Sequence, residues 1–304
     1  MVVIFMGTPD YATTIFEKLI TCNDIDVPLL ITQPDKPVGR KQVLTPPHIK
    51  EFALKKNLEV EIYQPETLKN IEAYEKIKSH NPDFIVVAAY GQILPKNILE
   101  IAPCINLHAS LLPKYRGASP IQASILNGDR FSGVTSMLMS EGLDCGDMLG
   151  FGYIELDEHI RVGELFEKLS LMAGDLTIKT LRNFDNIKPI KQFEADASYA
   201  KKITKKDGLV SFETMSSKDI YTKFRAFSPW PGIFLENGLK LIDIELVKGI
   251  GKPNRIIAIE DESVIVSCKT GALRLKNIQP KSKKVMTAAE FIRGKRLEVG
   301  SSLV

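Results

Sequence analysis

Asn106 and His108 stand two residues apart at the end of the apolar run 105–108. On a strand they share one face, an amide donor beside a titratable imidazole. An Asn-x-His pair alone serves equally well to satisfy loop backbone. A second cluster weighs toward catalysis: Gly142-Leu143-Asp144-Cys145-Gly146-Asp147 follows the apolar run 134–139 and is too rich in glycine to continue it. A carboxylate on such a loop can approach the imidazole and fix its tautomer, the usual division between a base and the group that orients it. Between the two clusters, Ser110, Leu111, Leu112, Pro113 and Gly117 break the strand and turn the chain just beyond its carboxyl end. In open α/β sheets that edge is where ligands bind.

With these motifs the chain resembles the folate-dependent formyltransferases. Their Asn-x-His-x-Ser-Leu-Leu-Pro pattern stands at 106–113 and their Gly-Leu-Asp-x-Gly-Asp pattern at 142–147. The resemblance runs through the whole length and is strongest to members that act on aminoacylated initiator tRNA. It implies formyl transfer from N10 of 10-formyltetrahydrofolate to the amino group of methionine esterified to initiator tRNA, for translation initiation. It also places the family's catalytic residues on Asn106, His108 and Asp144, and its folate-contacting turn on Ser110, Leu111, Leu112 and Pro113. The family's loop toward the aminoacyl end of tRNA falls at 33–41, with its key arginine on Arg40 and with Lys36 and Lys41 nearby. Two departures are minor: Cys145 stands where threonine is frequent, and Ala109 where glycine is common.

The implied reaction is acyl transfer to a neutral amine. Asn106 would donate to the developing formyl oxyanion, worth about 3 kcal/mol where such donors have been removed. His108 would assist either the loss of a proton by the amine or its gain by N10, typically by about a hundredfold to ten-thousandfold. A covalent route through Cys145 is disfavoured, because Asp144 and Asp147 beside it oppose a thiolate.

Elements able to position these residues can be read from periodicity. Short β-rich runs at 2–6, 27–32, 59–62, 84–89, 105–108 and 134–139 alternate with helix-like segments near 11–22, 47–56, 66–80 and 120–126. That order predicts an α/β domain with a Rossmann-like, mostly parallel sheet. Gly7-Thr8-Pro9 after the first run is no Gly-x-Gly-x-x-Gly, which removes the main support for a nicotinamide enzyme. A helix is expected over 163–184, packing on the sheet. Residues 1–186 thus read as the catalytic domain and 187–200, which lose periodicity, as a linker over the surface. Residues 201–304 show one helix pattern at 217–227, strands at 240–247, 255–259, 264–267 and 273–278, and a capping box from Thr287 to Glu290. Short strands with small turns suggest an OB-like β-barrel.

Charge divides the chain in the same place. Residues 201–304 hold 20 Lys and Arg against 11 Asp and Glu, a net charge of +9, within a total of +3. Such a surplus favours a polyanion, here tRNA, and Lys281, Lys283 and Lys284 are candidates for phosphate contact. The longest apolar run, 84–90, is far short of the roughly 20 residues that cross a bilayer. No targeting segment opens the chain, so a cytoplasmic location and no membrane association are expected. Cys22, Cys104, Cys145 and Cys268 have no metal-ligand or redox spacing, so no metal and no disulfide are expected. His48, His80 and His159 have no partner readable in the sequence and fall outside the site. No protein partner is implied. Two alternatives stay open: formyl transfer to a small amine such as glycinamide ribonucleotide or an amino sugar nucleotide, and a nucleic-acid-binding protein with an inactive enzyme domain.

Overall fold

The computed structural model describes residues 1–39 and 41–303. The chain forms two compact units. One comprises Met1–Ile121, Arg130–Leu156 and Leu165–Ala200, the other Gln122–Asp129, Asp157–Glu164 and Lys201–Val304.

The chain begins with β1 (Val2–Gly7), α1 (Asp10–Ile20), β2 (Asp26–Ile31), β3 (Lys36–Val38), β4 (Val43–Thr45), α2 (His48–Lys55) and β5 (Glu61–Tyr63). Next come α3 (Ile71–Ser79), β6 (Phe84–Ala88), α4 (Lys96–Leu99), β7 (Cys104–His108), β8 (Arg116–Gly117) and α5 (Pro120–Leu126). They are followed by β9 (Phe131–Leu138), β10 (Met148–Glu155), α6 (Val162–Asn183) and β11 (Tyr199–Ala200).

In the first unit seven strands form one sheet in the order β10-β9-β7-β6-β1-β2-β5. Strands β5, β2, β1, β6 and β7 are parallel, and β9 and β10 close one edge antiparallel. The order reverses between β1 and β6, as expected of a Rossmann-like sheet. Parallel strands need cover on both faces, and their near-continuous apolar runs reflect it. Ile4, Met6, Leu29, Ile31, Ile85 and Val87 pack with Leu68, Ala73 and Ile77 in one core.

Strands β3, β4, β8, β10 and β11 of this unit were not in the sequence reading. Strand β10 was not expected, because Gly150 and Gly152 interrupt its pattern and Phe151 and Tyr153 point to solvent. Ladder pairing with β9 outweighs that weak propensity. The segment at 33–41, which the resemblance made a loop toward the aminoacyl end of tRNA, contributes β3 to an antiparallel hairpin with β4.

In the second unit α7 (Ser217–Phe227) starts at a capping box between Ser216 and Asp219. After it come β12 (Ile233–Phe234), β13 (Lys240–Val247), β14 (Ile256–Ile259), β15 (Val264–Ser267), β16 (Ala272–Gln279), β17 (Met286–Thr287) and α8 (Ala288–Lys295). The strands form an antiparallel sheet ordered β12-β13-β16-β15-β14, with β17 on β16. The expected Thr287–Glu290 box is present, with both reciprocal hydrogen bonds at 3.1 Å. Within this unit Arg161 pairs with Asp243 at 3.2 Å and lies 4.7 Å above the Phe224 ring, so residues before 186 also belong to it.

Candidate active site

Strand β7 presents Asn106 and His108 on one face, opposite Met137 and Thr135 of β9. Both side chains are buried, at 9% and 6% exposure. The buried Tyr11 hydroxyl donates to the Leu107 carbonyl at 3.3 Å. Burial pushes that phenol well above its ordinary pKa, so it stays a neutral donor. Past the strand the chain turns through a cis Leu112–Pro113 peptide. Thr135 holds the turn: its hydroxyl donates to the Ser110 carbonyl at 2.7 Å and accepts from the Leu112 amide at 3.0 Å. Ser110 donates its own hydroxyl to the Lys114 carbonyl at 2.6 Å. The Tyr115 carbonyl then lies 2.8 Å from His108 Nε2. A carbonyl only accepts, so Nε2 carries the hydrogen and a neutral His108 has its lone pair at Nδ1.

Asp144 closes the constellation. Its Oδ1 accepts from Asn106 Nδ2 at 3.3 Å, its Oδ2 accepts from the Gly117 amide at 2.8 Å, and the same Oδ2 stands 3.6 Å from His108 Nδ1. The structure thus brings together all three residues singled out by the motifs. Asp144 sits at φ 49°, a left-handed conformation that aspartate tolerates better than most residues. Two residues on, a Cβ at Gly146 would fall 1.7 Å from the Leu138 carbonyl oxygen, so only glycine lets this loop lie so close to β9. Together the three side chains offer an amide donor, a basic nitrogen and a carboxylate that can balance positive charge on that nitrogen.

Sequence reasoning missed the group that holds this loop from the other side. The segment at 187–200 does more than connect. Ile190 and Met148 exchange backbone hydrogen bonds at 2.8 and 2.9 Å. Gln192 Nε2 donates to the carbonyls of Asp144 and Gly146, both at 2.8 Å. Its Oε1 accepts from Arg116 Nε at 3.0 Å. Arg116 is only 1% exposed and forms a bidentate pair with Glu194 at 2.7 and 3.0 Å. That hydrogen bond raises the Arg116 guanidinium and holds Glu194 below the usual carboxylate range. Further on, β11 pairs in parallel with β8. No periodicity marks such a strap; the one available signal was a lone arginine beside Gly117 in the turn after β7.

The remaining predicted residues lie apart from this group. Lys36 is exposed on β3 and Lys41 is exposed after it, while Arg40 lies outside the described residues. Lys281, Lys283 and Lys284 are exposed in the turn before β17. Cys145 Sγ lies 3.3 Å from the Ser140 hydroxyl. His48 Nδ1 is 2.8 Å from the Thr13 hydroxyl, His80 Nδ1 is 2.9 Å from the Lys76 carbonyl, and His159 Nδ1 is 3.3 Å from the Tyr221 hydroxyl. Among the described residues no cluster of three or more His, Cys, Asp or Glu could hold a metal ion, and no helix is long and apolar enough to cross a membrane.

Two family models match this chain, formyl transferase over residues 1–181 and the formyl transferase C-terminal domain over residues 202–296. It is 56% identical over 304 residues to the methionyl-tRNA formyltransferase of a Nitratiruptor species, a match covering 99% of each chain. Identity to the methionyl-tRNA formyltransferase of Campylobacter curvus is 52% over 303 residues and the full length of both. Among solved structures, HypX from Aquifex aeolicus in complex with tetrahydrofolic acid superposes with a TM-score of 0.64 at 16% identity, covering 96% of this chain and 46% of that one. At that identity the likeness is one of fold.

Proposed function

The chain belongs to the methionyl-tRNA formyltransferase family, and from that premise we propose that it transfers the formyl group of 10-formyltetrahydrofolate to the amino group of methionyl initiator tRNA for translation initiation. The observation that carries the reading is the meeting of Asn106, His108 and Asp144 at the carboxyl end of β7.

The residues present fit a folate. Ala89 lies just beyond the carboxyl end of β6, where Val87 pairs with Asn106 on β7, and it is exposed with its backbone at φ 45°. Leu143, next to Asp144, is 59% exposed, an apolar surface suited to a flat ring. Ser110, Leu111, Leu112 and Pro113 form the turn on the other side of His108 and would hold the same ligand. Bound there, 10-formyltetrahydrofolate supplies an activated formyl group.

Asn106 Nδ2 carries two hydrogens. One points to Asp144, and the other serves the oxyanion that develops on the formyl oxygen, a contribution of about 3 kcal/mol. His108 Nδ1 is the basic atom, because the Tyr115 carbonyl keeps the hydrogen at Nε2. It takes the proton that the attacking amine must lose, and the imidazolium so formed faces Asp144 Oδ2 at 3.6 Å. The imidazolium returns that proton to the leaving N10 as the bond from N10 to the formyl carbon breaks. The Tyr115 carbonyl sets the ring's orientation, and Asp144, fixed by the Gly117 amide, balances its charge once Nδ1 is protonated.

Residues 1–186 supply this chemistry, 187–200 brace its loop, and the net +9 of residues 201–304 supports their binding of tRNA. Lys36, Arg40, Lys41, Lys281, Lys283 and Lys284 are the proposed phosphate contacts. A role in translation initiation is one for the cytoplasm, where its four cysteines, free in the structure, stay reduced. The test is transfer from 10-formyltetrahydrofolate to methionyl initiator tRNA, with elongator methionyl-tRNA, free methionine and glycinamide ribonucleotide as parallel acceptors. Transfer confined to the initiator is expected. Transfer to a small amine would overturn the acceptor, and transfer to none would overturn the activity.

A further inference from the structure

We propose that Gln192 is a positioning residue for the reaction, acting through Asp144, and this proposal rests on the formyl-transfer reading given above. Gln192 lies 48 residues from Asp144 in sequence, on a segment that meets the sheet through the bridge between Ile190 and Met148. Its carboxamide bridges the catalytic loop and Arg116. Nε2 donates at 2.8 Å to the carbonyl of Asp144 itself and at 2.8 Å to that of Gly146, and Oε1 accepts from Arg116 Nε at 3.0 Å. The loop's other ties are the Leu138 amide, which donates to the Asp147 carbonyl at 2.8 Å, and the Asn106 and Gly117 donors on the Asp144 carboxylate. Asp144 is held in a left-handed conformation, and Gly146 gives it neither a side chain nor apolar packing. A single amide that ties two of its carbonyls to one buried guanidinium therefore sets where the Asp144 carboxylate stands relative to His108 Nδ1.

Arg116 is itself locked. Its guanidinium is gripped by Glu194, its backbone amide donates to the Ser198 carbonyl at 2.8 Å, and its neighbour Gly117 donates to Asp144 Oδ2. The carboxylate is thus referenced to one rigid group twice, through Gly117 at the side chain and through Gln192 at the backbone. Displacements of about 1 Å in such groups cost up to about a hundredfold in rate.

Gln192 is half-buried and outside the apolar core, so its replacement removes no core packing. Gln192→Met keeps the length and loses both donors. Gln192→Glu keeps the acceptor for Arg116 and sets a carboxylate against two carbonyls. We expect kcat for formyl transfer to fall about tenfold to a hundredfold in both variants, with KM for either substrate changed less than about twofold. On an Asp144→Asn background, followed in single turnovers with enzyme in excess, Gln192→Met should cost less than about twofold, because the residue it positions no longer functions. Hydrogen exchange of the 142–147 amides should be faster in Gln192→Met than in the parent. A kcat within twofold of the parent in both variants, or a loss of the same size on the Asp144→Asn background, would overturn the proposal. A parent enzyme inactive on every acceptor would instead overturn the formyl-transfer reading.

Discussion

Asp144 makes three contacts through two oxygens, and its charge is what the mechanism uses. Asp144→Asn keeps the shape and removes that charge, so turnover should drop by at least about a hundredfold while tRNA binding, measured by filter retention, stays nearly unchanged. Equal turnover would remove the residue from the mechanism. Cys145 Sγ meets the Ser140 hydroxyl and lies outside this proton path. Cys145→Ser should therefore keep turnover within about twofold, and a large loss would reopen covalent catalysis. Burial pushes Cys104 and Cys268 up to about 12, so a thiol reagent at neutral pH should label Cys22 and Cys145 first, as peptide mapping would show. Asn106, His108 and Asp144 were legible because two motifs of fixed spacing carried them. Gln192 was not, since a lone glutamine in an aperiodic segment gains its meaning only from the carbonyls it meets in three dimensions.

The 142–147 loop and the 187–200 strap lie against each other, and the strap's ion pair gives the contact a pH dependence. Arg116 depresses the Glu194 carboxyl in the folded state. The pair therefore contributes at pH above the unfolded carboxylate value of about 4.3 and is lost as the pH falls through the lower folded value. Thermal melts of the parent and of Glu194→Gln should differ at neutral pH, the parent being higher, and converge in acid. A constant gap would refute the linkage. Gly146→Ala should destabilise the chain by about 2 kcal/mol or more in denaturant titrations, since its Cβ would meet the Leu138 carbonyl and backbone cannot yield cheaply. Most elements were readable because their apolar runs are long and consistent: 264–267 and 217–227 came out residue for residue as β15 and α7. Strand β10 and the β3–β4 hairpin were missed. In both, exposed residues and glycine hide the pattern, and pairing partners supply the stability.

Charge separates the chain into a catalytic part at −6 and a basic part at +9, which points to a division of labour between chemistry and polyanion binding. Reversing Lys281, Lys283 and Lys284 to Glu should weaken tRNA binding and flatten its dependence on salt, by about one unit of slope for each phosphate no longer neutralised, with free-folate binding unaffected. An unchanged slope would show that this turn does not face the nucleic acid. Charge counting found the basic part, but which lysines share a surface depends on strand register, which composition does not carry. The central claim is that one imidazole, oriented by the Tyr115 carbonyl and balanced in charge by Asp144, moves the proton in formyl transfer to methionyl initiator tRNA. The most direct test is the single-turnover rate of that transfer by His108→Ala, measured beside its tRNA affinity. A fall of at least about a hundredfold with affinity nearly unchanged is predicted, and a rate equal to the parent's would contradict the account.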